Sequence, residues 1–277
     1  MSAPRPRPGF PARLDRPAEA APRPRGQATV PPRNSAPAPA REAAVARQPQ
    51  TRLTPQGLGL DSQAVRLAMV DKLAAQGIRD ARVLDAMGRV ERHRFVDTGL
   101  ATQAYEDTSL PIGLGQTISK PNVVARMIEL LLAARPLREG ERMGRVLEIG
   151  TGCGYQAAVL SLVVQEVYSV ERLRGLHDKA RENLRHFRLP NVHLLFGDGM
   201  EGYARGAPYA GIIAAAGGDA VPQAWIDQLA VGGRLVAPVA RAAGAAQVLL
   251  VLDKTAAGVQ HSLLEAVHFV PLKSGIA

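Results

Sequence analysis

Val146-Leu147-Glu148-Ile149-Gly150-Thr151-Gly152-Cys153-Gly154-Tyr155 is a short apolar run that breaks into a loop with glycine at every second position. A helical pattern resumes directly after it. Glycine lets a backbone take positive φ and approach a ligand with no Cβ in the way. A buried strand that ends in such a loop and then turns into a helix is the opening unit of an open α/β sheet. Sheets of that kind bind ligands beyond the carboxyl ends of their strands.

Downstream the pattern alternates. Apolar strands are expected at 146–149, 167–170, 192–196, 211–214, 234–238, 248–252 and 266–270. Helical segments fall between the first five, at about 155–163, 173–187 and 222–229. Strand–helix alternation with nearly continuous apolar strands predicts a parallel sheet covered on both faces. The last two strands follow without an intervening helix, so at least one antiparallel pairing is expected there. The fold class is α/β, a doubly wound and mostly parallel seven-stranded sheet.

Upstream, a helical subdomain is expected over 57–144, preceding the sheet of 145–277. Order begins near Leu60. Asp61 and Ser62 can cap a helix from Gln63 to Gln76, closed by Gly77, and Asp80 can cap a second from Ala81 to Arg89. Val65, Met69 and Leu73 recur at a spacing of four and mark a buried stripe. Residues 110–119 read as a loop-rich stretch. A further helix runs from Pro121 to Leu132, with Val124, Ile128 and Leu131 on one face.

Composition bounds the rest. Apolar residues make up 46% of 277 residues, as suits a globular chain. The net charge of +9 lies mostly in residues 1–56, which carry ten Arg and no Lys against three acids. Thirteen of the 21 prolines fall there too. Such a segment cannot bury enough apolar surface to offset its ordering entropy, and it reads as a disordered extension. The remainder is nearly neutral, so no nucleic-acid partner is expected. No apolar run approaches the ~18 residues of a membrane helix, and no secretory leader is evident. Cys153 has no intrachain partner. A soluble, cytoplasmic monomer is the expectation. The histidines at 93, 186, 193, 261 and 268 are scattered without helical metal spacing, so no metal is expected.

The loop alone leaves three readings open. Gly152-Cys153-Gly154-Tyr155-Gln156-Ala157 also fits the relaxed dinucleotide pattern, and a plain strand-to-helix turn is the third. Two later acids separate them. Glu171 closes the second strand, where a carboxylate can accept from both ribose hydroxyls, a feature common to either cofactor. Asp198, in Gly197-Asp198-Gly199, follows the third strand and can accept from an adenine amino group. Glu148 within the first strand, the glycine loop, the second-strand acid and the Gly-Asp-Gly together look like the S-adenosyl-L-methionine methyltransferase pattern. As bare features, Glu171 could instead be a helix N-terminal acid and Asp198 a turn residue.

A narrower resemblance comes from four segments: 110–121 (Leu-Pro-Ile-Gly-Leu-Gly-Gln-Thr-Ile-Ser-Lys-Pro), the cofactor loop through Gln156, Tyr168-Ser-Val-Glu-Arg, and Phe269-Val-Pro-Leu. Over about 62–273 the chain resembles the protein-L-isoaspartate O-methyltransferase family, whose sheet is Rossmann-like. The resemblance implies methyl transfer from S-adenosyl-L-methionine to the free α-carboxylate of L-isoaspartyl residues in damaged proteins and peptides, the first step of their repair. It implies a cofactor site of Gln116, Thr117, Ile118 and Ser119, of Glu148, Gly150, Thr151, Gly152 and Gly154, and of Glu171, Asp198 and Gly199. It also implies an acceptor site bordered by Ser119, Val270, Pro271 and Leu272.

The residue types suit that chemistry. A carboxylate with pKa near ~4 is ionised at neutral pH and needs no general base. A dry site that aligns two reactants supplies much of the acceleration. Ser119, with Thr117 in support, is the candidate to orient the acceptor carboxylate, close to the N–H groups of the helix that opens at Pro121. The alternative is that Ser119 is an N-cap. The chain departs from the family at Gly211, where an aspartate is usual after the fourth strand, and in the small run 214–218. Methylation of another carboxylate or a small molecule, a cofactor-binding protein without catalysis, and a nicotinamide oxidoreductase are the competing functions.

Overall fold

A computed structural model of the protein describes residues 63–240 and 246–277. The extension over 1–56, the onset of order near Leu60 and the cap from Asp61 and Ser62 lie outside them. In chain order the elements are α1 (Gln63–Ala75), α2 (Ala81–Arg89), β1 (Leu110–Gly113), β2 (Gln116–Ile118), α3 (Pro121–Leu132), β3 (Met143–Ile149), α4 (Tyr155–Val163) and β4 (Val164–Glu171). Then follow α5 (Arg174–Arg185), β5 (Val192–Phe196), β6 (Tyr209–Ala214), α6 (Gln223–Gln228), β7 (Leu229–Ala240), β8 (Gln247–Thr255) and β9 (Gly258–Val267).

Seven strands form one sheet in the order β5-β4-β3-β6-β7-β8-β9. The first five pair in parallel, and β8 and β9 are antiparallel additions. The chain winds outward from β3 through β4 to β5, then returns to the other side of β3 for β6. The strand order therefore reverses between β3 and β6, which opens a crevice at their carboxyl ends. At the end of β3, Val146, Leu147, Glu148 and Ile149 are all buried. The helical expectations hold closely. Asp80 caps α2 by accepting from Arg82 and Val83 N–H, and Val124, Ile128 and Leu131 of α3 are buried.

Four expectations are corrected. The stretch 110–119 is an antiparallel hairpin, with Leu110 opposite Ile118; Gly113, Leu114 and Gly115 all take positive φ to make its tip. The last strand runs over Gly258–Val267, not 266–270. Its residues are mostly solvent-facing, Val259 and Leu263 included, so pairing with β8, rather than a buried apolar face, makes it a strand. Val65 is 37% exposed, and the buried stripe of α1 begins at Met69. Gly211 lies inside β6, as the strand expected at 211–214 has it and not after that strand as the family resemblance has it, opposite Val146 and Arg234. A Cβ there would come within 2.9 Å of Met143 Cε and 3.0 Å of Leu131 Cδ1, so the position serves packing beneath α3.

Candidate active site

Backbone hydrogen bonds build the glycine loop onto β4. Gly150 N donates to Val170 O at 2.9 Å, and Gly154 N closes a turn on Thr151 O at 2.9 Å. Gly150, Gly152 and Gly154 all have positive φ, which an L side chain resists. At Gly152 a Cβ would also press on Ile112 Cδ1 at 3.2 Å. Across the switch point Ala215 N donates to Ile149 O at 2.8 Å, so the ends of β3 and β6 are tied side by side.

Three segments far apart in sequence meet here around one cavity of about 490 Å³, the size range of a small-molecule site. The hairpin contributes Gln116, Thr117, Ile118 and the following Ser119. The glycine loop contributes Gly150, Thr151 and Gly152, and the chain's end contributes Val270, Pro271 and Leu272. Glu171 and Gly199 complete the expected set along the wall. Glu148, Gly154 and Asp198 are not on that wall. The cavity suits a nucleoside bound to an aliphatic chain. A Cβ on Gly199 would stand 2.7 Å from Ile149 Cγ2, so the wall is cut back there, while Ile149 and Val170 give it apolar surface.

The acids differ sharply in setting. Glu171 is buried; one oxygen accepts from Gly152 N and the other from Leu173 N, each at 2.9 Å. It thus fastens the glycine loop, while each oxygen keeps a further lone pair. Asp198 Oδ1 accepts from Met200 N at 2.8 Å, and Oδ2 accepts from Gly275 N near the chain's end. Glu148 is fully buried beneath the loop. It accepts from Ser169 Oγ, which in turn lies 2.6 Å from Thr151 Oγ1. Burial pushes its carboxyl up to about 8, against the pull of Ser169 and Gln156 and with the charge of Glu171 adding to the rise. Oε1 has no hydrogen-bond partner, which suits a neutral acid better than a carboxylate.

Ser119 is not an N-cap. Lys120 holds that position without a side-chain cap bond, and Pro121 opens α3. At that helix end Pro121 lacks an N–H and Asn122 N donates to Asp107 Oδ1 at 3.0 Å. The Ser119 carbonyl accepts from Arg92 Nη2 at 2.7 Å. The sequence reading missed Ile112 and Leu114 on the hairpin and Tyr155 and Gln156 on α4, all on the wall. The alternation of Leu110 and Ile112 with Pro111 and Gly113 could have revealed Ile112.

A sequence model described as protein-L-isoaspartate(D-aspartate) O-methyltransferase matches residues 64–277. A protein-L-isoaspartate O-methyltransferase of Methylibium petroleiphilum is 58% identical over 98% of this chain and 97% of its own length. One of Leptothrix cholodnii is 60% identical over 79% and 77%. Among solved structures, a protein-L-isoaspartate O-methyltransferase matches with a TM-score of 0.68 at 28% identity, over 76% of this chain and 67% of that one. Another, from Plasmodium falciparum and solved in complex with S-adenosyl-L-homocysteine, matches with a TM-score of 0.65 at 24% identity, over 75% and 98%, and shares the fold. This chain belongs to the protein-L-isoaspartate(D-aspartate) O-methyltransferase family.

Proposed function

We propose that Ser119, supported by Thr117, orients the α-carboxylate of an L-isoaspartyl residue for methyl transfer in the cavity at the β3–β6 switch point. The activity is that of the family: S-adenosyl-L-methionine-dependent methylation of L-isoaspartyl residues in damaged proteins and peptides. The observation that carries the reading is the convergence of the hairpin, the glycine loop and the Val270–Leu272 segment on one cavity.

The residues divide the work. Glu171 would accept from the ribose hydroxyls through its remaining lone pairs, and the 150–152 backbone would follow the aliphatic part. Asp198 and Gly199 border the adenine end, with Asp198 reaching in from just behind the wall. Gln116 and Ile118 close the hairpin side. Gly154 shapes the loop from outside the cavity, and Glu148 supports it from beneath. The bound cofactor supplies an electrophilic methyl group on a sulfonium. The acceptor oxygen is already ionised, so the chain supplies no base. The Ser119 hydroxyl donates to the carboxylate without the charge of a direct lysine or arginine clamp, and so leaves the attacking oxygen reactive. Val270, Pro271 and Leu272 border the peptide and exclude water. Residues 57–144 serve the acceptor side, and 145–277 hold the cofactor on the sheet and end in a segment that borders the acceptor. The enzyme works as a cytoplasmic monomer; its single cysteine, Cys153, which has no intrachain partner, fits the reducing compartment.

The test is methyl transfer from labelled cofactor to paired peptides, one with L-isoaspartate and one with aspartate. Wild type labels only the first. Ser119→Ala lowers kcat/KM by about tenfold to a hundredfold, the scale of a lost oxyanion donor. Its melting stays nearly unchanged, because the Ser119 hydroxyl makes no hydrogen bond among the described residues. Unchanged turnover in that variant sinks the assignment.

A further inference from the structure

We propose that Arg92 is a positioning residue for the methyl acceptor. It fixes Ser119 through its carbonyl and keeps a buried positive charge, paired with no carboxylate among the described residues, beside the place where the acceptor's carboxylate docks. The inference rests on the reading of Ser119 given above.

Arg92 sits in a short turn, Arg92–Phe95, and is 0% exposed. Its Nε donates to Ala104 O and its Nη2 to Ser119 O, both at 2.7 Å. The guanidinium carbon lies 4.7 Å from the ring centroid of Tyr155, the residue directly after Gly154. Ser119 and Tyr155 both line the cavity, so one buried cation braces the acceptor segment against the helix that follows the glycine loop. Its third nitrogen, Nη1, has no hydrogen-bond partner among the described residues.

Burying a guanidinium is costly, and such groups are ordinarily matched by a carboxylate. This one is matched by two carbonyls and a ring. The Asp107 charge is felt by Arg92 but forms no ion pair with it, and Asp107 Oδ1 already holds Asn122 N. Burial pulls the Arg92 pKa down, yet arginine remains charged at neutral pH. A net positive charge therefore stays behind the cavity wall. Lys120 beside Ser119 and Lys273 on the wall are also cations, but both are exposed, where water and salt screen them, and Arg172 on the wall is tied to Gly275 O.

The arrangement solves a conflict in the chemistry. A guanidinium bonded directly to the attacking oxygen would draw off the electrons that must reach the methyl group. A cation one residue back attracts the acceptor through a low-dielectric wall and leaves the oxygen unbonded. The α3 end has less to offer that part, since its first residue is proline and Asn122 N is taken by Asp107.

The test compares full-length wild type, Arg92→Gln and Arg92→Lys in steady-state methylation of an L-isoaspartyl peptide, with S-adenosyl-L-homocysteine calorimetry and melting. Arg92→Gln is expected to raise the peptide KM by about tenfold with a smaller change in kcat, and to leave S-adenosyl-L-homocysteine affinity within about threefold. Arg92→Lys, which keeps the charge, recovers most of the KM. If glutamine and lysine are equally impaired, or if peptide and S-adenosyl-L-homocysteine binding fall in parallel with melting, Arg92 is only a core brace and the proposal is overturned. Should Arg92→Gln fail to fold, the wild-type chain with ¹⁵N-arginine decides. The Nε–H signal missing from Arg92→Lys must shift when isoaspartyl peptide is added to the S-adenosyl-L-homocysteine complex, and an unmoved signal overturns the proposal. Ser119→Ala separates the two failures. If it loses turnover while Arg92→Gln keeps the wild-type KM, only the Arg92 inference falls; if it keeps full turnover, the site assignment falls and takes this inference with it.

Discussion

Glu148 is the residue whose setting departs most from the role its motif suggests. It stands in the cofactor motif, yet it lies under the loop, hydrogen-bonded through Ser169 towards Thr151, and not on the cavity wall. Its consequence is a pH dependence of stability. The folded pKa, about 8, is above the ordinary carboxyl value of 4.5. Between those values unfolding releases a proton, so the stability it contributes is full below about pH 4.5 and is lost as pH rises through about 8. The slope is ~1.4 kcal/mol per pH unit. Melting of Glu148→Gln has no such term. Relative to that variant, wild type should lose about 3 °C per pH unit from pH 5 to 8 and then level off. A constant gap between the two melting curves across that range would show that Glu148 is charged in the folded protein. Arg92 makes a related point about legibility. In the run Glu91-Arg92-His93-Arg94 it reads as one more solvated charge, and nothing local distinguishes it from Arg94. Only tertiary packing buries it. Gly211 shows the reverse, a departure that looks functional in sequence and proves to be a matter of volume beneath α3.

Among the elements, helices were legible nearly to the residue, because apolar spacing and caps are local signals. The β1–β2 hairpin was not. Its strands are four and three residues long, contain proline and glycine, and gain their identity from pairing across a tip of three positive-φ residues. The segment after β9 is held in a way the sequence could not announce. The Gln247 amide acts as a substitute strand for it, with Oε1 accepting from Phe269 N at 2.8 Å and Nε2 donating to Phe269 O at 3.3 Å. A Cβ on Gly217 would meet Gln247 Nε2 at 2.5 Å, and Gly217 in turn pairs with Val270 and Leu272. This one amide therefore sets the register of the Val270–Leu272 segment. Gln247→Ala should raise the KM for isoaspartyl peptide by about threefold to tenfold and cost about 1–2 kcal/mol of stability for the two lost bonds. S-adenosyl-L-homocysteine affinity should hold, since the glycine loop and Glu171 are untouched. Calorimetry that finds cofactor and peptide binding equally weakened would refute a register role specific to the acceptor side.

At the scale of the whole described sheet, the doubly wound order follows from alternation in the sequence, but the use made of the last residues does not. Beyond Leu272 the chain crosses the carboxyl ends of β4 and β5, where the proposed nucleoside end of the cavity lies. Gly275 N donates to Asp198 Oδ2, Arg172 Nε donates to Gly275 O at 2.8 Å, Ala277 N donates to Arg172 O at 2.8 Å, and Arg174 N donates to Ala277 O at 2.7 Å. Those bonds join the loop after Glu171 to the loop holding Asp198. They do so without filling the cavity, because Lys273 is the last residue on its wall. Preorganised loops bind with less ordering cost than free ones. Removing Ser274–Ala277 should therefore weaken S-adenosyl-L-homocysteine binding by about threefold to tenfold while the melting temperature moves little, since these residues are exposed and outside the core. Turnover at saturating cofactor should be preserved, because Ser119 and the Val270–Leu272 segment keep their own anchors. Tighter binding after the deletion would mean the opposite: that Gly275 competes with the adenine for Asp198 and must leave before the nucleoside can settle.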